Sequence, residues 1–104
     1  MNDIYKNKVV LVTGAGRGIG KAIAYKFASQ GAYVLGTATT EESAQKISNN
    51  FKKKKFLGIG FVLNIAKKSS IEQFEKNIKD LDAPNILINN AGITRDNLLM
   101  RMKD

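Results

Sequence analysis

The sequence predicts an α/β fold in which a parallel sheet is covered by helices on both faces, a doubly wound sheet. Two observations support this prediction. Short apolar segments alternate with helix-length amphipathic segments along the chain. The first apolar segment also runs directly into a glycine-rich turn that opens a helix. Strands that alternate with helices are joined by crossovers and lie parallel in one sheet. With 104 residues, the chain has room for one small domain.

Four short segments have the character of buried strands. The first is short, β-branched and bounded by glycine. Gly58 and Gly60 weaken the third prediction, because glycine has no side chain to pack in a strand. Pro84 marks a break before the fourth. The strands are expected at residues 8–13, 33–37, 56–63 and 85–90.

Three helices are expected between these strands. The first spans residues 18–30, and Gly31 is expected to end it. Its apolar side chains recur at i, i+4 and i+8, which places Ile19, Ile23 and Phe27 on the buried face.

The second and third helices carry capping signals. Thr39 and Glu42 can form a capping box that opens the second helix. Ser69 with Glu72, or Ser70 with Gln73, can cap the third, and Asp96 or Asn97 can cap a further helix. The residues expected to face inward from the second and third helices are Ala44, Ile47, Phe51, Ile71, Phe74 and Ile78.

The composition is that of a folded, water-soluble chain. Hydrophobic residues make up 43% and charged residues 25% of the sequence, which excludes a disordered class. No segment is long and apolar enough to span a membrane, and no signal peptide is visible. The absence of cysteine excludes a disulfide framework and suits the cytoplasm, where we expect the protein to reside.

The net charge of +8 comes mainly from lysine, including four consecutive lysines at residues 52–55. Such a run can contact an acidic partner or a nucleic acid. It can equally form a solvated loop after a helix. No arginine or aromatic residue is interleaved with the four lysines, so the sequence favours the solvated loop. We therefore expect no nucleic acid and no membrane among the partners.

The glycine-rich turn, Thr-Gly-Ala-Gly-Arg-Gly-Ile-Gly at residues 13–20, has the features of a pyrophosphate site. Gly14 allows the chain to leave the strand sharply. Gly18 and Gly20 allow the backbone to approach a ligand and the helix to approach the sheet. The helix N-terminus then offers unpaired N–H groups and a positive dipole end. No Gly-Lys-Ser/Thr follows, so the turn is not a Walker motif. The alternative is a glycine-rich connection without a ligand.

The second strand indicates which dinucleotide would bind. Proteins that bind NAD usually carry an acidic side chain about 20 residues after the glycine motif. In this sequence no carboxylate appears before Glu41. A 2′-phosphate would meet no repulsion there, Arg17 could contact it, and the hydroxyl of Thr39 or Thr40 could donate to it. The sequence therefore predicts NADP(H) rather than NAD(H).

Two motifs together resemble the short-chain dehydrogenase/reductase family. They are the turn at residues 13–20 and Asn-Asn-Ala-Gly at residues 89–92, which follows the fourth expected strand. More narrowly, residues 35–39 and 90–104 resemble the bacterial 3-oxoacyl-[acyl-carrier-protein] reductases. The resemblance covers essentially the whole chain. It implies a Rossmann-like fold, of which residues 1–104 would form the N-terminal, NADP(H)-binding half-domain.

The resemblance also implies roles for individual residues. Asn64 stands where the family usually has an acidic residue against the adenine, and its amide can still donate and accept hydrogen bonds. Gly16 stands where relatives often have serine. Residues 89–92 are as much a brace of the sheet as a direct contact. The implied cofactor-binding residues are Gly14, Ala15, Gly16, Arg17, Gly18, Ile19, Gly20, Thr39, Asn64, Ile65, Asn90, Ala91 and Gly92.

The catalytic set of the family has no counterpart in these residues. In the family a tyrosine protonates the carbonyl oxygen, a lysine four residues later lowers the tyrosine pKa, and a serine orients the carbonyl. Tyr5, Tyr25 and Tyr33 are followed four positions later by valine, serine and threonine. We therefore assign no catalytic residue and no metal ligand. The expectation is a truncated polypeptide that lacks the C-terminal catalytic half and is inactive alone.

For the intact enzyme, the resemblance implies NADPH-dependent reduction of β-ketoacyl to β-hydroxyacyl thioesters in fatty-acid biosynthesis. The substrate would be carried by acyl carrier protein, an acidic partner that suits the basic surface, and the enzyme would be a homotetramer. The alternative is a non-catalytic nucleotide-binding fragment or a decayed product.

Overall fold

The computed structural model describes residues 4–79, 81 and 83–90. Strands and helices alternate in the order that the sequence predicts. The elements are β1 (Val9–Val12), α1 (Gly18–Ser29), β2 (Tyr33–Ala38), α2 (Glu41–Lys53), β3 (Gly58–Val62), α3 (Lys68–Ile78) and β4 (Ile86–Ile88). Most boundaries differ from the predicted ones by one or two residues at an end. Across the described ranges, no helix has the length and apolarity needed to cross a bilayer.

The four strands form one parallel sheet in the order β3-β2-β1-β4. Strand β1 is central: Leu11 is in register with Leu35 of β2 on one side and with Leu87 of β4 on the other. The chain therefore builds outward in one direction through β2 and β3, and then returns to the other side of β1. In open α/β sheets, ligands bind at the carboxyl ends of the strands where the strand order reverses. Here that point is the end of β1.

Alternate strand residues pack into two separate cores, one on each face of the sheet. Val10, Val12 and Val34 face α1 and α2, where they contact Ile47 and Phe51. Residues of the opposite parity face α3 in a second cluster formed by Leu11, Leu35, Leu63, Ile71 and Phe74. Period-two alternation in a strand that is apolar throughout produces this arrangement. The doubly wound architecture is therefore confirmed for the described residues.

Helix α1 buries a different stripe from the predicted one. The prediction that Ile19 is a core residue is wrong, because its side chain is 73% exposed. The buried residues of the helix are Gly20, Ala24 and Ala28, while Ile23 and Phe27 pack at the margins of the core. The small residues of this stripe let the helix pack close to the sheet, and at Gly20 a Cβ atom would collide with the Gly14 carbonyl. Ile19 lies in the first turn of the helix, at the carboxyl end of the sheet.

The end of α1 is as predicted. Gly31 has φ 97°, in the left-handed region that glycine adopts easily. The N–H of Gly31 donates to Ala28 and the N–H of Ala32 donates to Phe27. These two bonds define a Schellman motif, which satisfies the last carbonyl groups of the helix.

Helix α2 begins one residue later than its predicted capping box. The cap is Thr40, whose Oγ1 accepts a hydrogen bond of 3.1 Å from the N–H of Ser43. The prediction of a Thr39–Glu42 box is therefore wrong, because two adjacent threonines precede the helix and the second reaches its first turn. The inward face, Ala44, Ile47 and Phe51, is as predicted.

Helix α3 has no side-chain cap. Its N-cap residue is Lys67, so neither predicted serine cap is present. The Ser70 hydroxyl instead accepts a 2.8 Å hydrogen bond from the N–H of Asn64, which ties the helix to the loop after β3. Ile71 and Phe74 are buried as predicted, and Ile78 packs at the edge of the second core. The further helix expected after Asp96 or Asn97 lies outside the described residues.

Candidate nucleotide-binding site

The glycine-rich turn links the end of β1 to the start of α1, at the edge where all four strands end. Gly14 has φ 65° and Gly18 has φ 61°, both in the left-handed region. Glycine reaches this region without steric cost, which explains why these two positions carry glycine. The sharp exit from the strand that the sequence predicts for Gly14 is therefore present.

The first turn of α1 presents N–H donors at the carboxyl end of the sheet. Arg17 is the N-cap residue with an extended backbone, and no side chain caps the helix. The first intrahelical bond is donated by the N–H of Lys21 to the carbonyl of Arg17, at 3.3 Å. The N–H groups of residues 18–20 therefore lack an intrahelical acceptor. No acidic residue lies in this turn, so nothing there repels an anion.

The N–H groups of Gly14 and Ala15 are bonded within the protein. The N–H of Gly14 donates to the Thr37 hydroxyl at 3.2 Å, and the N–H of Ala15 donates to the Thr37 carbonyl at 2.8 Å. Gly14 and Ala15 thus shape the turn, whereas residues 18–20 carry its free donors.

Close packing at Gly20 brings the helix against the turn. A Cβ atom at this position would collide with the Gly14 carbonyl and would lie 2.5 Å from the side-chain nitrogen of Asn90. Gly16 is different, because a Cβ there would meet only the Ala38 side chain, at 4.0 Å. Gly20 is therefore required by packing, whereas a Cβ atom at position 16 would make only an ordinary van der Waals contact.

The end of β4 is bonded to the other side of the turn. The N–H of Asn90 donates to the Thr13 hydroxyl at 2.9 Å, and the Asn90 side chain donates to the Gly14 carbonyl at 3.1 Å. The Thr13 hydroxyl donates a long hydrogen bond of 3.4 Å to the Asn89 side-chain oxygen. These bonds support a bracing role for Asn89 and Asn90. Ala91 and Gly92, also expected at the site, lie outside the described residues.

A groove of about 380 Å³ runs from the turn over the end of β2. Arg17 and Thr39 lie on its wall and both are exposed. Because Thr40 caps α2, the Thr39 hydroxyl is not used as the cap. The residues lining the groove are Gly14, Gly16, Arg17, Thr37, Ala38, Thr39, Ser43 and Leu63, none of them acidic.

Asn64 and Ile65 follow Leu63 but are not among the residues that line this groove. The Asn64 side-chain oxygen accepts a 3.0 Å hydrogen bond from the N–H of Ala66. Its amide NH₂ group and its second oxygen lone pair are still available for an adenine. Ile65 packs against the second core.

Three residues near the groove were not identified from the sequence as site residues. Thr13 and Thr37 are the buried polar residues among those described, with 1% and 2% of their surface exposed. Ser43 lies on the groove wall beside Thr39. A threonine at the carboxyl end of an apolar segment was the available signal for Thr13 and Thr37. Their partners are distant in the chain, at residues 88–90 for Thr13 and at residues 14–15 for Thr37, and cannot be identified from local sequence.

The residues present fit a dinucleotide. A pyrophosphate needs free N–H groups at a helix N-terminus without acidic neighbours, and the turn supplies both. An adenosine needs a groove that leads to the end of the second strand, and this groove is present. The site residues that the structure brings to one edge are those of the turn, Thr39 and Asn90.

Comparison with known proteins gives a consistent result. The family model described as short chain dehydrogenase matches residues 8–104. The chain is 55% identical over 100 residues to the 3-oxoacyl-[acyl-carrier-protein] reductase FabG of Haemophilus influenzae, covering 95% of this chain and 40% of that protein. It is 52% identical over 104 residues to the Escherichia coli protein of the same name, covering 96% and 40%. The Pseudomonas aeruginosa protein is 49% identical over 100 residues, with 95% and 40% covered.

The chain thus spans about 40% of the length of the curated relatives that it matches. Short-chain dehydrogenases transfer hydride with a nicotinamide nucleotide, so the match implies a nicotinamide cofactor. The turn, the sheet topology and the match to residues 8–104 agree, and the chain belongs to the short chain dehydrogenase family.

Proposed function

We propose that this chain forms the NADP(H)-binding part of a 3-oxoacyl-[acyl-carrier-protein] reductase. The intact enzyme reduces β-ketoacyl to β-hydroxyacyl thioesters in fatty-acid biosynthesis. The observation that carries the cofactor assignment is the groove beside the turn, which is lined by Arg17 and Thr39 and by no carboxylate. The names of the relatives at 49–55% identity supply the substrate class.

Each part of the site has one task in this proposal. The N–H groups of residues 18–20 bind the pyrophosphate, and Arg17 and Thr39 bind the 2′-phosphate by charge-assisted hydrogen bonds. Asn64 faces the adenine, and Asn90 lies beside the ribose that carries the nicotinamide. The bound dinucleotide supplies the hydride. The residues of this chain bind and orient it.

Proton transfer to the carbonyl oxygen needs a residue outside these 104. No Tyr-x-x-x-Lys occurs in the sequence. This observation favours a second candidate function, a nucleotide-binding module without turnover. The two candidates share the cofactor site and differ only in whether a further segment supplies the acid.

The remaining parts of the proposal follow from the relatives. The substrate is an acyl group on acyl carrier protein, an acidic partner that a chain of net charge +8 would attract. The intact enzyme is proposed to be a homotetramer in the cytoplasm.

A chimera tests the activity. Residues 1–104 are joined to the part of the Haemophilus influenzae relative that follows its matched segment, and oxidation of NADPH is followed with an acetoacetyl thioester. We expect turnover with NADPH and little with NADH. The 104-residue chain alone should bind NADPH without turnover. A chimera that folds and binds NADPH but does not reduce the thioester would favour the binding module.

A charge substitution tests the cofactor assignment. In Thr39→Asp, a carboxylate on the groove wall would repel the 2′-phosphate. The affinity for NADPH should fall at least about tenfold, while the affinity for NADH is maintained or rises. Gln45→Glu is the matched control, because it adds the same charge at an exposed position of α2 that does not line the groove. Equal affinities of the unchanged chain for NADPH and NADH would contradict the assignment.

A further inference from the structure

Thr37 has no task in the scheme above, yet it makes two bonds to the turn. It is the fifth residue of β2 and is 2% exposed. Its hydroxyl oxygen accepts from the N–H of Gly14 at 3.2 Å, and its carbonyl accepts from the N–H of Ala15 at 2.8 Å. Any residue at position 37 could supply the carbonyl. Only a side chain with a short acceptor can supply the first bond.

The opposite side of the same backbone is held by β4. The peptide group between Gly14 and Ala15 donates to the Thr37 carbonyl, and its oxygen accepts from the Asn90 side chain at 3.1 Å. The preceding peptide group donates to the Thr37 hydroxyl. Two consecutive peptide planes are therefore fixed between β2 and β4, at the residue where φ becomes positive.

The direction of these two planes sets where the rest of the turn goes. Gly14 has φ 65°, and the chain needs only four more residues to reach the first helical residue at Gly18. A rotation of the Gly14 N–H away from Thr37 would move the donors of residues 18–20 relative to the groove. Because an anion at a helix N-terminus is bound by aligned N–H groups, such a movement would weaken pyrophosphate binding.

We propose that Thr37 is a positioning residue for the pyrophosphate site, because its hydroxyl fixes the orientation of the Gly14 peptide group. Thr37 lines the groove but is only 2% exposed, and the role proposed for its hydroxyl is exerted through the Gly14 N–H. This inference rests on the proposed function, since it requires that the chain bind NADPH. The effect should be larger for the pyrophosphate than for the 2′-phosphate, because Thr39 follows β2 and lies outside the turn, and Arg17 would reach the 2′-phosphate through a long, exposed side chain rather than through its backbone.

Two variants at position 37 test the role of the hydroxyl. Thr37→Val keeps the shape and the β-branching but removes the acceptor, and Thr37→Ser keeps the acceptor. Ser48→Ala is the matched control, because the Ser48 hydroxyl also accepts from a backbone N–H, that of Gly60 at 2.8 Å, in a partly buried position outside the groove. Each variant is prepared in the 104-residue chain and in the chimera, so that a second folded context is present.

Two ligands separate positioning from general loosening. NADPH engages the turn through its pyrophosphate, whereas adenosine 2′-monophosphate has no pyrophosphate. Thr37→Val should lower the affinity for NADPH about fivefold or more, as expected from the loss of one hydrogen bond. The affinity for adenosine 2′-monophosphate should stay within about twofold of that of the unchanged chain. Thr37→Ser should restore NADPH binding. Ser48→Ala should reduce the melting temperature without changing either affinity. In the chimera, Thr37→Val should raise KM for NADPH more than it reduces kcat.

The Gly14 amide gives an independent measurement. In Thr37→Val, its ¹H–¹⁵N signal should shift and exchange faster with solvent, while the Ala15 amide keeps its protection. Equal NADPH binding by Thr37→Val and the unchanged chain would overturn the inference, as would equal losses for both ligands. If neither the unchanged chain nor the chimera binds a nicotinamide nucleotide, the proposed function itself fails.

Discussion

Gly16 and Gly20 lie in the same turn but differ in the space around them. A Cβ at Gly20 would collide with the backbone of Gly14 and with Asn90, whereas a Cβ at Gly16 has its nearest neighbour 4.0 Å away. Gly20→Ala should therefore lower the free energy of unfolding by at least about 2 kcal/mol and abolish NADPH binding, because backbone atoms would have to move. Gly16→Ala should change neither quantity measurably.

Chemical denaturation and an NADPH titration of the two variants, prepared in the chimera, check this difference. A Gly20→Ala protein with unchanged stability would show that α1 lies further from the turn than the structure places it.

The site was predictable from the sequence where a residue acts through its own backbone. Gly14 was identified because the chain must leave the strand sharply, and its φ of 65° is left-handed. Gly18 was identified for close approach to a ligand, and its left-handed φ of 61° is a further reason for glycine that the sequence did not indicate. Ile19 was placed wrongly on the buried face of α1, because helical spacing cannot distinguish a core face from the first turn of a helix that projects beyond the sheet. Its expected role at the cofactor site stays a prediction. Thr37 was missed as a site residue because its partner, Gly14, lies 23 residues earlier in another strand connection.

At the scale of elements, α2 shows what a cap contributes. Thr40 accepts the Ser43 N–H, and Thr39 lies on the groove wall. Thr40→Ala should lower the free energy of unfolding by about 1 kcal/mol. Thr39→Ala should change the free energy of unfolding by less than about 0.5 kcal/mol, but it should lower the affinity for NADPH. Urea denaturation of both variants, prepared in the chimera, distinguishes the two. A larger loss of stability in Thr39→Ala than in Thr40→Ala would favour Thr39 as the cap, as the sequence predicts.

The other end of α2 contains a residue in a costly conformation. Lys55 has φ 60° and occupies the position after the cap in a Schellman motif, where the N–H of Phe56 donates to Phe51 at 2.9 Å and that of Lys55 donates to Lys52 at 3.1 Å. Glycine is the usual residue there. Lys55→Gly should stabilise the protein by about 0.5–1 kcal/mol. Lys54→Gly should give no gain, since Lys54 is right-handed. A stability decrease in Lys55→Gly would contradict the assignment.

The helix ends show the limit of local prediction for elements. Gly31 was identified as the end of α1 because glycine is the common residue at that position. The end of α2 carries a lysine in the same motif, and composition offered no signal for it. The four lysines at residues 52–55 contain both the last helical turn and the reversal into β3.

At the scale of the whole molecule, the fold class was predictable but the strand order was not. Alternation of apolar and amphipathic segments is a local pattern, and it predicted the elements and the parallel sheet. The order β3-β2-β1-β4 depends on which strands pair across long separations. Within the described residues β4 has β1 as its neighbour and consists of three half-buried residues.

We expect the 104-residue chain to associate or to unfold with low cooperativity, because no strand among the described residues pairs with the outer side of β4. Sedimentation velocity across a wide concentration range and a thermal melt measure this behaviour. The chimera, which places a further segment beside β4, should be better defined in both experiments. A monomeric chain with a reversible, cooperative melt would contradict the expectation.

The return of the chain to β1 also sets an order of assembly. The bonds between Val9 and Asn85 and between Gly14 and Asn90 join residues 76 positions apart, so they form only when β4 docks on the assembled sheet. That docking closes the connection of residues 63–85, which is similar in length to the two earlier crossovers, but only three paired residues repay it, fewer than for either other strand pair. A cofactor held by the turn and beside Asn90 would bind only after that step. Its binding free energy would therefore add directly to the docking equilibrium, and the nucleotide would act as a folding ligand for the last strand.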